Sequence, residues 1–105
     1  MLLCEAELGT PTLRLTSADY EAGDKAKAKG YIATQGLGLT VPSSWVDAGM
    51  VHSDLKGVLM PDPDKKPQHQ THRDNLYLMY NEYIVYDEAQ VRLRYMIRFK
   101  NSLAF

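Results

Sequence analysis

Glu82 stands in the run Tyr80-Asn81-Glu82-Tyr83-Ile84-Val85-Tyr86-Asp87, an acidic residue among aromatic and β-branched ones. Such a composition predicts a strand. Alternation places Tyr80, Glu82, Ile84 and Tyr86 on one face, with Asn81, Tyr83 and Val85 on the other. A carboxylate sharing a face with two tyrosines and an isoleucine is costly to bury unless a polar or cationic group meets it. Positions of that kind serve as active-site acids or bases. The plainer alternative is a solvated residue at the entry of a strand, and the residue types alone leave both readings open.

Other groups that could do chemistry are less suggestive. His69 and His72 lie three apart in a polar stretch, His52 stands elsewhere, and no cysteine or suitably spaced carboxylate joins them, so no metal site is expected. Asp47, Asp54 and Asp62 lack the spacing of a calcium loop. Gly36-Leu37-Gly38 has no third glycine of a dinucleotide fingerprint and no clear strand–helix unit around it. The one cysteine, Cys4, excludes an internal disulfide and is expected to be a small buried hydrophobe. Tyr83 and Tyr86 are expected to be core aromatics, each with its hydroxyl satisfied.

The elements that must position these residues fit one small domain of 105 residues. Leu2 to Leu8 alternates apolar with mostly acidic residues and predicts a strand stopped by Gly9-Thr10-Pro11. Thr16 or Ser17 could cap a helix over about Ala18 to Lys29, with Glu21 and Lys25 spaced for an ion pair and Gly30 as the stop. Gly23 weakens that helix by about 1 kcal/mol relative to alanine. Tyr31 to Gly36, Trp45-Val46, Met50-Val51 and Val58-Leu59-Met60 predict short extended pieces. Residues 61–75 are polar and rich in proline, and are expected to form a mobile surface loop. Tyr80 to Tyr86 predicts one strand. Val91, Leu93, Tyr95, Ile97 and Phe99 alternate with polar and basic residues as a second, most simply its antiparallel neighbour. The expected class is α+β, mainly antiparallel β. The net charge of −1, with basic residues dispersed, gives no reason to expect direct nucleic acid binding, and no apolar run approaches membrane-spanning length.

The wording of the Glu82 segment, continued by Ala89-Gln90-Val91-Arg92-Leu93-Arg94-Tyr95, resembles the end of the catalytic domain of the poly(ADP-ribose) polymerases. Leu2-Leu3-Cys4-Glu5-Ala6-Glu7-Leu8-Gly9 and Gly36-Leu37-Gly38, with Thr40 and Pro42, resemble further blocks of that family in the same order. Leu55 to Pro61 is a fainter match. The resemblance covers the whole chain but only the C-terminal half of the family's domain, so residues 1–105 are expected to be the C-terminal part of an ADP-ribosyltransferase fold. A Met1 followed at once by strand sequence agrees with a start inside a larger domain.

By that resemblance Glu82 is the catalytic glutamate. Its implied role is to hydrogen-bond the 2′-hydroxyl of the nicotinamide ribose of NAD, the substrate, and to orient the attacking hydroxyl. Chain elongation in the family depends on it, which implies a polymerase rather than a mono-transferase. Met79 and Tyr80 are implied to border the acceptor side of the cleft. Asn81 faces the other way as a structural residue, and Gly36-Leu37-Gly38 belongs to a connecting loop. Leu39 stands where the family often carries a basic residue, which puts an acceptor contact there in doubt. The family's NAD grip uses a histidine and a tyrosine in His-Gly and Gly-Ile-Tyr-Phe contexts, absent here. The implied partners are NAD, protein acceptors of ADP-ribose and the missing N-terminal half of the domain, the implied location is the nucleus, and the isolated chain is expected to be inactive. A non-catalytic scaffold derived from the same fold is the alternative.

Overall fold

A computed structural model describes residues 1–70 and 76–100. The expectation for the loop at 61–75, and His72 within it, therefore falls partly outside the described residues.

The two ends of the described chain lie side by side. Strand β1 (Leu2–Ala6) pairs antiparallel with β10 (Val91–Met96), and the Met1 ammonium donates to the Ile97 carbonyl at 2.9 Å. The register slips between Leu3, opposite Tyr95, and Cys4, opposite Leu93, leaving Arg94 as the extra residue of a bulge. Its guanidinium donates to the Asp54 carbonyl at 2.7 Å and, with Arg92, flanks the Glu5 carboxylate. A second sheet holds β2 (Leu13–Leu15), β3 (Ala33–Gly36) and β9 (Glu82–Val85). β2 and β3 run parallel, joined through helix α1 (Ala22–Ala28), and β9 runs antiparallel to β3. A third sheet sets β4 (Gly38–Val41) between β7 (Gln68–His69) and β8 (Leu78–Tyr80). A hairpin pairs β5 (Trp45–Asp47) with β6 (Leu59–Pro61). The α+β class with mostly antiparallel strands is as expected.

Several local expectations are corrected. The helix is shorter than 18–29 and takes no side-chain cap from Thr16 or Ser17. Asp19 instead shapes the turn before the helix: one oxygen accepts from the Glu21 amide at 2.9 Å and the other meets Lys25 Nζ at 2.6 Å. Lys25 therefore pairs with Asp19, not with Glu21, and this contact chiefly lowers the Asp19 pKa and raises that of Lys25. Gly30, at φ 75°, ends the helix in the left-handed region as expected. Gly23 lies close to the Tyr86 ring, which a Cβ there would meet at 3.1 Å and push back by a few tenths of an ångström. Met50 closes a short 3-10 turn over Ala48–Met50 instead of entering a strand.

The strands around Glu82 and Leu93 are not neighbours. β9 pairs with β3 and β10 with β1, because Glu88–Gln90 forms a capped 3-10 turn that redirects the chain. Asp87-Glu88-Ala89 offers no glycine for the left-handed residues of a tight hairpin.

Among the described residues the buried apolar side chains are small ones: Ala22, Ala26, Ala33 and Ala48, with Val41 and Leu55. Large ones such as Leu2, Leu3, Leu59, Ile84, Leu93 and Tyr95 are exposed. The radius of gyration is 15.8 Å, against about 13 Å for a compact domain of this size. Cys4 is exposed, contrary to expectation, on a sheet of two strands.

Candidate functional site

Tyr80 to Tyr86 is two strands, not one. β8 ends at Tyr80, β9 begins at Glu82, and Asn81 is the break between them. Before the break the chain pairs in parallel with β4, Leu78 facing Gly38 and Tyr80 facing Thr40. After it the chain pairs antiparallel with β3, Glu82 facing Gly36. The partner chain breaks at the matching place, Leu37, between β3 and β4. Alternation is therefore interrupted at Asn81, and Tyr80 belongs to a different sheet from Glu82 and Ile84, while Tyr86 lies just past β9.

Gly36-Leu37-Gly38 is accordingly not a connecting loop but the join of two strands, and its second glycine has a steric reason. A Cβ on Gly38 would lie 2.2 Å from the Tyr80 carbonyl carbon and 2.5 Å from the Asn81 nitrogen. Only a residue without a side chain admits that backbone. The buried Gly38 also donates its N–H to Asn81 Oδ1 at 3.0 Å. A Cβ on Gly36 would meet Leu78 Cδ1 at 2.6 Å and Glu82 Cβ at 3.6 Å. Sequence reasoning found both motifs but not that they touch, because nothing in either indicates contact across forty residues.

Glu82 opens β9 with its side chain exposed. Among the described residues it takes part in no ion pair or side-chain hydrogen bond, so the strand does not bury it at the cost that its neighbours suggested. Met79 and Tyr80 are exposed beside it, at 60% and 67%. The structure thus leaves Met79, Tyr80 and Glu82 all exposed around the junction of two sheets, with Met79 and Tyr80 on opposite faces of β8. A cavity of about 520 Å³ adjoins Tyr80, walled by Thr40, Trp45, Pro61, Asn81 and Tyr83, and does not include Glu82. Tyr83 and Tyr86 are only part covered, at 39% and 48% exposure, and are not core residues. The Tyr86 hydroxyl is nonetheless satisfied by Thr34 Oγ1 at 2.5 Å, and Thr34 is 1% exposed.

The remaining polar candidates have structural employment. His69 Nδ1 meets Thr40 Oγ1 at 2.9 Å, fastening β7 to β4. Asp62 accepts from the Asp64 amide at 2.9 Å within its own turn. Asp47 caps the turn at Ala48–Met50: its Oδ1 accepts from Gly49 N–H at 2.7 Å, and both oxygens receive Gly57 N–H at 3.0 Å. These amides hold its pKa below the usual carboxylate value, Gly49 contributing most. A carboxyl with a lowered folded-state pKa adds stability above its unfolded pKa and loses it as pH falls through the folded one. The melting temperature should therefore fall more steeply in acid for the native chain than for Asp47→Asn, in paired melts from about pH 7 to about pH 2. Parallel curves would remove Asp47 from the acid response.

Gln90 is the residue that sequence reasoning passed over. Its amide Nε2 donates to the carbonyls of Glu7 at 2.9 Å and Ile32 at 2.8 Å, while Oε1 accepts from Tyr86 N–H at 3.2 Å and Asp87 N–H at 3.0 Å. Asp87 accepts in return from the Ala89 amide, completing a capping box. The Asp87-x-x-Gln90 spacing was the available signal.

Comparison with known proteins bears on this surface. Residues 1–101 match the family model of the poly(ADP-ribose) polymerase catalytic domain. The chain is 37% identical to poly [ADP-ribose] polymerase 2 of Zea mays over 101 residues, covering 92% of this chain and 13% of that protein. It is 35% identical to poly [ADP-ribose] polymerase 2 of Arabidopsis thaliana, covering 95% and 14%. Poly [ADP-ribose] polymerase 1 of Caenorhabditis elegans is 32% identical, covering 95% and 10%. The chain thus spans only a small part of the length of these relatives.

Proposed function

The chain belongs to the poly(ADP-ribose) polymerase catalytic-domain family, and from that premise we propose that Glu82 is the catalytic glutamate of NAD-dependent ADP-ribosyl transfer to proteins and growing chains. The observation that carries this reading is the placement of Glu82. It sits at a sheet junction with its side chain exposed and, among the described residues, in no ion pair or side-chain hydrogen bond, its strand paired to Gly36, with Met79 and Tyr80 exposed nearby.

The reaction breaks the bond from ribose C1′ to the nicotinamide nitrogen. The electron pair goes to the pyridinium ring, which leaves as neutral nicotinamide, and C1′ acquires oxocarbenium-like charge. A carboxylate held by the 2′-hydroxyl stabilises that charge, as in glycoside hydrolysis. The acceptor oxygen then bonds to C1′, and when the acceptor is a hydroxyl its proton passes to Glu82. Met79 and Tyr80 border the acceptor path. No metal takes part, and the reading places the protein in the nucleus.

These residues form the glutamate-bearing part of a catalytic domain, and NAD is held by a separate NAD-binding part. A histidine and a tyrosine of that part grip NAD, and its packing covers exposed apolar residues such as Ile84, Leu93 and Tyr95. A carboxylate alone cannot orient NAD, and orientation is worth on the order of 7–11 kcal/mol. The 105-residue polypeptide should accordingly release nicotinamide from NAD no faster than buffer does. The maize relative with its matching segment replaced by this chain should release it and label protein with ADP-ribose. Nicotinamide release by the isolated chain at an enzymatic rate would sink the division of labour, and an inert chimera that still binds NAD would favour a scaffold.

A further inference from the structure

We infer that Asn81 and Gly38 are positioning residues for Glu82, holding the Tyr80–Asn81 peptide so that the carboxylate leaves the sheet in one direction. The inference rests on the reading of Glu82 as the catalytic glutamate. Three observations carry it.

First, the side chain of Glu82 is steered by none of the described hydrogen bonds or ion pairs. The backbone that precedes it therefore sets the one directional constraint those contacts leave, the direction of its Cα–Cβ bond. Second, that backbone changes sheet and pairing sense within Tyr80 to Glu82, which is where ladder hydrogen bonds are interrupted and cannot fix the peptide. The Asn81 side chain supplies a substitute, accepting from the Gly38 amide at 3.0 Å. Third, the chain is pressed onto Gly38 so closely that a Cβ would stand 2.2 Å from the Tyr80 carbonyl carbon. The hydrogen bond and the close contact act on the same peptide from the same residue, one pulling and one limiting approach. Displacing a reacting group by about 1 Å can cost about 100-fold in rate, so a device that fixes this peptide has a catalytic consequence beyond folding.

The test uses the maize chimera carrying this chain. Asn81→Leu removes the acceptor while keeping the branching and the number of side-chain heavy atoms, whereas Asn81→Asp keeps an oxygen for the Gly38 amide. We expect Asn81→Leu to lower kcat about 10- to 100-fold with the KM for NAD within about twofold, and Asn81→Asp to restore kcat to within about threefold of the parent. Equal kcat in the leucine variant and the parent, or no recovery with aspartate, would overturn the inference. Glu82→Gln is measured alongside. If it leaves kcat intact, the catalytic reading fails on its own account, whatever Asn81 does. The 105-residue chain provides a second measurement that does not depend on turnover. The HN–Hα coupling of Glu82 and the exchange protection of the Gly38 amide should change in Asn81→Leu and persist in Asn81→Asp. Couplings and protection unchanged in the leucine variant would also overturn it.

Discussion

Glu82→Gln in the maize chimera should reduce ADP-ribosyl transfer by about 100- to 10,000-fold. Glutamine keeps the shape and one acceptor oxygen, so hydrogen bonding to a ribose hydroxyl survives in part. What it loses is the negative charge beside the developing oxocarbenium ion and the ability to take a proton from an incoming hydroxyl. The first is worth a few kcal/mol where solvent is excluded, and the second about 100-fold or more. Both act mainly in the transition state, so kcat should fall while the KM for NAD changes little. Elongation should suffer more than attachment of the first unit, because a ribose hydroxyl needs a base more than a carboxylate acceptor does. Nicotinamide release and the length of labelled products measure the two separately. Polymer of ordinary length from the glutamine variant would remove Glu82 from the mechanism. Because Glu82 is exposed, its substitution should leave the melting temperature close to that of the parent, which separates a chemical loss from a folding one.

How much of this was legible in the sequence depended on the range of the interaction involved. β1 and β3 were readable because alternation and glycine punctuation are local signals. The partnership of β9 with β3 was not, since the simplest rule joins consecutive strands. The capped turn at Glu88–Gln90 defeats that rule by sending β10 to β1. Gly23 shows the same limit from the other side. Its cost to the helix is local and visible, whereas its close approach to the Tyr86 ring, sixty-three residues away, is not. The Lys25 pairing was missed because Asp19 lies before the helix, where the regular spacing of helical ion pairs does not apply. Glu82 was legible as a carboxylate among aromatics at a strand entry, and of the two readings left open, a buried group or a solvated entry residue, the exposure of Glu82 agrees with the second. Alternation says which residues share a face, and only the packing layers say whether that face is covered. Here Tyr80, Ile84 and Tyr86 remain exposed with it, so the motif marks a surface rather than a core.

Gln90→Ala should destabilise the chain by about 2–3 kcal/mol, the largest stability loss expected of any single polar side chain here. Four hydrogen bonds end on its amide, and they join three separate segments. Glu7 lies just past β1, Ile32 just before β3, and Tyr86 and Asp87 just past β9. The backbone adds a further tie, Glu7 N–H to the Gln90 carbonyl at 2.8 Å. The side chain therefore fastens the β1–β10 sheet to the β2–β3–β9 sheet, at a place where small buried residues supply little apolar attraction. Each bond is exposed, which puts its net worth at the lower end of the usual range of about 0.5–1.5 kcal/mol. The sum corresponds to a drop in melting temperature on the order of 10 °C for a domain of this size. Gln90→Glu distinguishes the fastening from mere bulk. Above its pKa the new carboxylate can still accept from the Tyr86 and Asp87 amides, but it turns a second oxygen toward the carbonyls of Glu7 and Ile32. That conflict raises its folded-state pKa, so the variant should gain on the native chain as pH falls through that value and a donor proton returns. A thermal melt of Gln90→Ala within about 2 °C of the native chain would show that the four bonds are replaced by water at no cost. A Gln90→Glu deficit independent of pH would mean that the donor side of the amide contributes nothing.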